Sequence, residues 1–215
     1  MFTGIVSAVG DVVDVTSHAE NDPNAGVRLT VSATDFLRPT TKIGDSIAIQ
    51  GACMTVIEMQ SHTAEQSESA SNDVFIVDVS RESLNLTSGL DRLGPVNLEH
   101  SLRMGDTLDG HLVSGHVDGL GVVSHFAPIG ESWDLRVRVP ASLAPYLAYK
   151  GSITVNGVSL TINQVDDFAD DSEIRINLIP HTIQVTTLQH LRVGDNVNIE
   201  IDMIARYVER TVSLR

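Results

Sequence analysis

The chain is poor in cysteine and in cations, and it has no long apolar run. One cysteine in 215 residues, Cys53, excludes an internal disulfide framework and a cysteine-rich zinc site. Lysine and arginine number 14 against 28 acidic residues, a formal net charge of −14. That balance argues against nucleic-acid binding, which needs clustered cations. The acid excess reads as a solubility device and does not identify a substrate. No apolar stretch is long enough to span a bilayer, and no basic segment followed by an apolar one marks a secretory leader. The expectation is a soluble cytoplasmic protein with Met1 as its native start, since Phe2 already belongs to the repeat described next. Hydrophobic residues at 42% and charged residues at 20% suit a globular chain.

What the chain has is a long internal repeat. Ile49-Gln50-Gly51-Ala52-Cys53-Met54-Thr55-Val56 answers to Val155-Asn156-Gly157-Val158-Ser159-Leu160-Thr161-Ile162, 106 positions later. Phe2-Thr3-Gly4-Ile5-Val6 answers to Val113-Ser114-Gly115-His116-Val117 at 111. Glu82-Ser83 answers to His181-Thr182 at 99, and Val96-Asn97-Leu98-Glu99 to Val197-Asn198-Ile199-Glu200 at 101. Four matches in the same order imply one duplicated unit with loop insertions. The period is domain-sized, unlike the roughly 20 to 50 residues of a solenoid. Each half can bury its own core, so residues 1–100 and 101–200 are read as two domains and 201–215 as a tail.

Most segments read as short strands. Val27, Leu29 and Val31 alternate with polar neighbours, the period of a half-buried strand. Phe75–Val79 and Ile174–Ile179 form another matched pair of strands. Ser61–Asp73 is a polar hairpin insertion, shorter in the second half around Asp166–Glu173. Evenly spaced strands and turns predict an all-β barrel or sandwich. Thr34 is a candidate N-cap for one helical turn over Thr34–Arg38, matched by Ala141–Leu147. Ile204, Ala205 and Val208 share one face of a predicted tail helix, too short to stand alone and so expected to pack on something, such as a neighbouring chain.

The repeated residues have a chemical character. Gly51 and Gly157 allow positive φ or a close ligand approach. Thr55 and Thr161 follow Cys53 and Ser159 by two, which on a strand puts each pair on one face. Thr3, Ser114, Ser83 and Thr182 add hydroxyls, and the pattern suits a hydroxyl-rich ligand bound twice. A structural Cys53 would be matched more naturally by Val or Ala than by Ser159. Eight histidines include His111 and His116, five apart, which is not a helical metal pair, and no metal site is expected. His116 stands opposite Ile5 and breaks the symmetry of the halves, as a reaction requires of two similar pockets. Lys150 precedes the second motif strand, with Lys42 two residues further from the first.

The chain resembles the riboflavin synthases of the trimeric, two-barrel lumazine-binding family, from about residue 1 to 210. The resemblance is carried by Met1–Val6, Gly51–Val56, Gly110–Gly119, Gly157–Thr161, Ile179–Thr182 and Asn198–Asp202. It differs at Met54 where leucine is usual, at Gln50 where asparagine is common, and at Ser83 where threonine can stand. It implies two six-stranded Greek-key barrels, a C-terminal helix that helps form a homotrimer, and no metal or organic cofactor. It implies the last step of riboflavin biosynthesis, in which two molecules of 6,7-dimethyl-8-ribityllumazine exchange a four-carbon unit. The products are riboflavin and 5-amino-6-(D-ribitylamino)uracil. The active site would lie between the N-terminal barrel of one chain and the C-terminal barrel of its neighbour.

Carried over by position, Cys53 and His116 are the candidates for nucleophilic or proton-transfer work, with Ser46 nearby, and the sequence does not divide the work among them. Gly4, Ile5, Val6, Thr55, Glu82 and Ser83 would line the first pocket. Lys150, Ser159, Thr161, Ile179, Pro180 and Thr182 would line the second. Met54, Gly115, Val117, Leu160 and His181 join them as substrate-binding positions, and Asn97, His111 and Asp202 as supporting ones. A non-catalytic lumazine or flavin carrier on the same fold is the alternative, and the intact pair of Gly-x-[Cys/Ser]-x-Thr motifs with Cys53 and His116 favours the enzyme. A flavin-reductase barrel would need a following nicotinamide-binding domain, for which the chain has no room.

Overall fold

The computed structural model describes residues 1–19, 22–60 and 72–214; the insertion expected over 61–73 lies outside them up to 71. Six strands build the first half: β1 (Ala8–Ser17), β2 (Val27–Thr34), β3 (Ser46–Ile49), β4 (Ala52–Gln60), β5 (Asn72–Val79) and β6 (Gly94–His100). A short helix, α1 (Arg81–Leu86), separates the last two. The second half repeats the series as β7 (Gly119–Ile129), β8 (Ser132–Pro140), β9 (Ser152–Val155), β10 (Val158–Asp167), β11 (Asp171–Leu178), α2 (Pro180–Val185) and β12 (Asn196–Ile201). A final helix, α3, spans Met203–Val212.

Each half is a closed antiparallel barrel. The order β1-β2-β5-β4-β3-β6 recurs as β7-β8-β11-β10-β9-β12. Even the irregularities are duplicated. The ladder slips between Val12 and Asp14, and again between Val123 and His125, 111 positions on. It slips between Val56 and Glu58, and again between Ile162 and Gln164, 106 positions on. Such bulges bend and twist a strand, which is what closes a small barrel.

The alternation read from the sequence is what fills the barrels. Val27, Leu29, Val31 and Ala33 of β2 point inward, to meet Phe75, Val77 and Leu98 in the first core. Leu135, Ile162, Ile176 and Ile199 sit in a separate second core. Strands β6 and β12 depart from alternation, with Val96–Glu99 and Val197–Ile201 buried on both faces. Their apolar side chains enter a barrel, and their polar ones (Asn97, Glu99, Asn198, Glu200) face the joint between barrels.

That joint has approximate twofold symmetry. The Phe2 N–H donates to the Val113 carbonyl at 2.7 Å and the Val113 N–H returns the bond at 3.1 Å, between positions equivalent in the repeat. The Asn97 amide donates to the Asn156 carbonyl and accepts from the Thr187 N–H. Asn198 donates to the Gln50 carbonyl and accepts from the Ser88 N–H, the same pattern in reverse. Gln50-Gly51 and Asn156-Gly157 form the two-residue turns of β3–β4 and β9–β10, with φ of 51° and 89°, and 51° and 79°. Positive φ at both central residues is the turn that matches the twist of a hairpin. The turns touch: a Cβ at Gly51 would stand 2.7 Å from the Gly157 nitrogen, and one at Gly157 2.8 Å from the Gly51 Cα. The close approach expected of these glycines is therefore to each other.

The helical turn expected over Thr34–Arg38 does not form. Asp35 takes φ 49°, and the Leu37 N–H donates to the buried Asp73 carboxylate at 2.6 Å rather than to a helical carbonyl. Its counterpart is a 3-10 helix over Ala141–Tyr146. The tail helix forms as expected, capped by the Asp202 carboxylate accepting from the Ile204 N–H. Helices α1 and α2 carried no periodic signal at six residues. Ser80 caps α1 by accepting from the Ser83 N–H, and Pro180 starts α2.

The glycine contact makes a graded expectation. Gly157→Ala adds a clash with backbone to a left-handed φ, and should cost about 2–4 kcal/mol in urea denaturation. Gly44→Ala, at φ 92° but in open space, should cost about 1 kcal/mol. Equal losses at the two positions would remove the steric contact from the account.

Candidate active site

Each half begins with an arm that crosses to the other barrel. The carboxylate of Glu99 accepts from the Thr3 N–H at 2.6 Å, the Thr3 hydroxyl at 2.8 Å and the Gly4 N–H at 3.0 Å. Glu200 accepts from the Ser114 N–H at 2.7 Å and the Gly115 N–H at 3.0 Å. So pinned, Gly4 turns its carbonyl to the Ser159 N–H at 2.7 Å, and Gly115 turns its carbonyl to the Cys53 N–H at 2.8 Å. Neither arm has room for a side chain at the crossing. A Cβ on Gly4 would lie 2.7 Å from the Ser159 Cβ, and one on Gly115 the same distance from the Cys53 Cβ. Both glycines also need their positive φ, 76° and 77°.

The crossing assembles the site. Gly115, His116 and Val117 of the second arm form one wall of a cavity of about 250 Å³, with Cys53 and Met54 of β4 and Glu82 and Ser83 of α1 opposite. A thiol, an imidazole, a carboxylate and a hydroxyl thus share one hollow, enough for nucleophilic addition and proton transfer at a bound ring. Ala52, Leu86 and Thr87 complete the lining. None of these three was among the site residues expected from the sequence.

The grouping of the first arm needs correction. Gly4, Ile5 and Val6 do not join Cys53; Gly4 stands on Ser159, and Val6 packs on the second core together with Leu160. The repeat hides this because it relates arms to arms and strands to strands without saying which barrel an arm covers. His181 and Thr182 on α2 are the second-half counterparts of Glu82 and Ser83, with Ile179 exposed at the N-cap and Pro180 beside it. Thr55 and Thr161 are exposed on the outer faces of β4 and β10.

Five further residues, Ser46, Lys150, Asn97, His111 and Asp202, stand apart from the cavity or in altered roles. Ser46 begins β3 opposite Thr55 and lines a different hollow with Lys42, Asp45 and His100, so it is not in the wall around Cys53. The Lys150 N–H donates to the Ile162 carbonyl as the Gly44 N–H donates to that of Val56, so the counterpart of Lys150 is Gly44 and not Lys42. Lys150 holds φ 62°, strained for a long side chain, with Nζ 3.1 Å from the Asn163 side-chain oxygen. Asn97 lies in the joint. His111 is buried, with Nδ1 2.7 Å from the Ser159 hydroxyl, and burial pulls its pKa below the ordinary histidine value. Asp202, the cap of α3, opposes that shift. Among the described residues no cluster of three or more His, Cys, Asp or Glu side chains could hold a metal ion.

Residues 3–101 and 114–202 each match the lumazine binding domain. The chain belongs to the lumazine-binding family. The family's two copies coincide with the two barrels and their arms. A riboflavin synthase of Photobacterium phosphoreum is 37% identical over 212 residues, covering 98% of this chain and 88% of that protein. A riboflavin synthase of Brucella abortus is 39% identical over 213 residues, covering 98% and 97%. Among solved structures, LumP complexed with riboflavin superposes with a TM-score of 0.74 at 24% identity, over 94% of this chain and 99% of that one. That likeness is one of fold.

The glutamate clamps yield a prediction. Glutamine at position 200 offers one acceptor oxygen to two N–H groups and turns a donor toward the other. Glu200→Gln should cost about 1–3 kcal/mol of stability, read by urea denaturation. Burial raises the carboxyls of Glu99 and Glu200 above the ordinary 4.5. At these two sites the folded chain holds more protons than the unfolded one between pH 4.5 and the raised values, and the stability these groups contribute falls as pH rises through that window. The gap between wild type and Glu200→Gln should accordingly narrow from pH 4 toward neutrality.

Proposed function

We infer that the chain is a riboflavin synthase, converting two molecules of 6,7-dimethyl-8-ribityllumazine into riboflavin and 5-amino-6-(D-ribitylamino)uracil by transfer of a four-carbon unit. The observation that carries this is the joint presence of Cys53 and His116 in one cavity, on a chain alike over nearly its whole length to proteins with that activity. Two copies of one substrate need two related sites, and the duplicated barrel supplies them. The reaction takes a proton from the C7 methyl group of one lumazine and adds a nucleophile to the other. Two rings held in register turn an encounter of substrates into a positioned reaction. The arm exchange places Cys53 beside the His116 arm and Ser159 beside the Ile5 arm, so equivalent pockets carry different chemistry. Lys150, Thr161 and Thr182 are assigned to the second site with Ser159.

The working assembly is a homotrimer, in which the first-barrel site of one chain meets the second-barrel site of the next. Two features support it. Ile204, Val208 and Val212 form an i, i+4, i+8 apolar stripe on α3, with Tyr207 beside it, all more than half exposed. The Cys53 cavity, at about 250 Å³, is small for a bicyclic ring with its ribityl chain. The expected compartment is the cytoplasm; no described helix is long and apolar enough to cross a membrane.

Incubation with the lumazine should yield riboflavin, followed by its absorbance. Cys53→Ser and His116→Gln should each lower kcat by about 10²–10⁴ with the fold intact. Lumazine binding with no riboflavin from the wild type would make the chain a carrier. Val208→Asp should shift the sedimentation of the chain from trimer toward monomer and lower activity with it. Full activity in a monomer would overturn the shared site.

A further inference from the structure

Ser159 and Cys53 occupy equivalent positions with the same backbone clamp, yet among the described residues only Ser159 has a side-chain hydrogen-bond partner. The Ser159 hydroxyl lies 2.7 Å from His111 Nδ1. His111 sits on the segment between barrels, its N–H donating to the Thr3 carbonyl at 3.1 Å, which holds it against the first arm where that arm covers Ser159. His111 lies outside both stretches that match the lumazine binding domain, residues 3–101 and 114–202. The two pockets differ by this contact.

The direction of the bond follows from the other ring nitrogen. His111 is 8% exposed, and its Nε2 finds no hydrogen-bond partner among the described residues. A buried N–H without an acceptor is costlier and rarer than a buried bare lone pair. The proton of the neutral ring accordingly sits on Nδ1, and burial disfavours the doubly protonated ring. Nδ1–H donates to Ser159 Oγ. The hydroxyl, having accepted that bond, keeps its own proton for a second partner, and Ser159 remains partly exposed on the outer face of β10. Cys53 makes no side-chain hydrogen bond among the described residues and offers only a weak S–H donor.

We propose that His111 is a positioning residue that fixes the Ser159 hydroxyl as a hydrogen-bond donor to an acceptor atom, a carbonyl oxygen or ring nitrogen, of the lumazine in the second barrel. This rests on the two-site reading above and deepens it: two identical substrate molecules are told apart by the polarity of the group that meets them. Ser159 holds one ring through a donor. Cys53 leaves the other open to attack or proton transfer.

The test is a double-mutant cycle in the full-length protein. His111→Leu removes the donor, Ser159→Ala removes the hydroxyl, and His111→Asn restores an N–H near the Nδ1 position. His111→Leu and Ser159→Ala should each raise KM for the lumazine about tenfold, the worth of one hydrogen bond, with kcat within about threefold. The double variant should be no worse than the poorer single one, and His111→Asn should stay within about threefold of wild type. Additive losses, a fall in kcat at unchanged KM, or His111→Asn as poor as His111→Leu would overturn the proposal. If His111→Leu does not fold by circular dichroism, Ser159→Ala against His111→Asn decides alone: a tenfold rise in KM in the first with near-wild-type KM in the second supports it, and any other pairing overturns it. If the wild type forms no riboflavin, the enzyme reading fails separately. The same comparison is then read as a tenfold rise in the Kd for riboflavin, followed by quenching of its fluorescence, and an unchanged Kd overturns the proposal.

Discussion

Two buried carboxylates hold the molecule's working parts in place. Glu99 and Glu200 each take up consecutive backbone N–H groups of an arm that has no secondary structure of its own. A buried carboxylate is costly unless its oxygens are hydrogen-bonded, and a buried N–H is costly without an acceptor. Each group resolves the other's problem, so the arm has one place to go. Once Gly4 and Gly115 are pinned, their carbonyls must meet the strand of the opposite barrel, and only glycine fits there. The two barrels are thereby tied by their arms as well as by the Gly51–Gly157 contact and the two asparagines of the joint.

This frame is symmetric where it is structural and asymmetric where it is chemical. Equivalent residues make the arm clamps, the turn contact and the asparagine bonds. Within the hollows the pairs diverge: Cys53 against Ser159, His116 against Ile5, Glu82 against His181, Gly44 against Lys150. A reaction between two molecules of one compound needs two pockets of one shape that do different things. Duplication supplies the shape cheaply, and substitution at a few lining positions supplies the difference without disturbing the hydrogen bonds that hold the frame. His111 adds an element from outside the repeat.

Much of the fold was legible because it rests on short-range pattern. Alternation in Val27–Val31 follows from a period of two, Phe75–Val79 and Ile174–Ile179 were legible as β-rich runs matched between the halves, and the four repeat matches followed the same strand order twice. The turn over Thr34–Arg38 was misread because a candidate cap says nothing about Asp73, 39 positions further along the chain, which captures the Leu37 N–H instead. Helices α1 and α2 were missed since six residues are too few to show a 3.6-residue period. Glu99 and Glu200 were visible as duplicated residues, yet a glutamate in a strand looks like a solvated one until the other barrel covers it.

The sequence by itself determined that there are two like units, that each is a barrel or sandwich of short strands, and that Cys53, Ser159, His116 and the paired threonines are where the chemistry should be sought. These are properties of neighbouring residues and of the comparison of one half with the other. Tertiary structure decided the partners. It put His116 beside Cys53 and Gly4 beside Ser159, moved Ser46 to another hollow, matched Lys150 with Gly44, and joined His111 to Ser159. The reason is physical: a backbone N–H or a buried carboxylate accepts any suitable partner, and which one it finds depends on how two closed barrels stand against each other. No spacing along the chain encodes that.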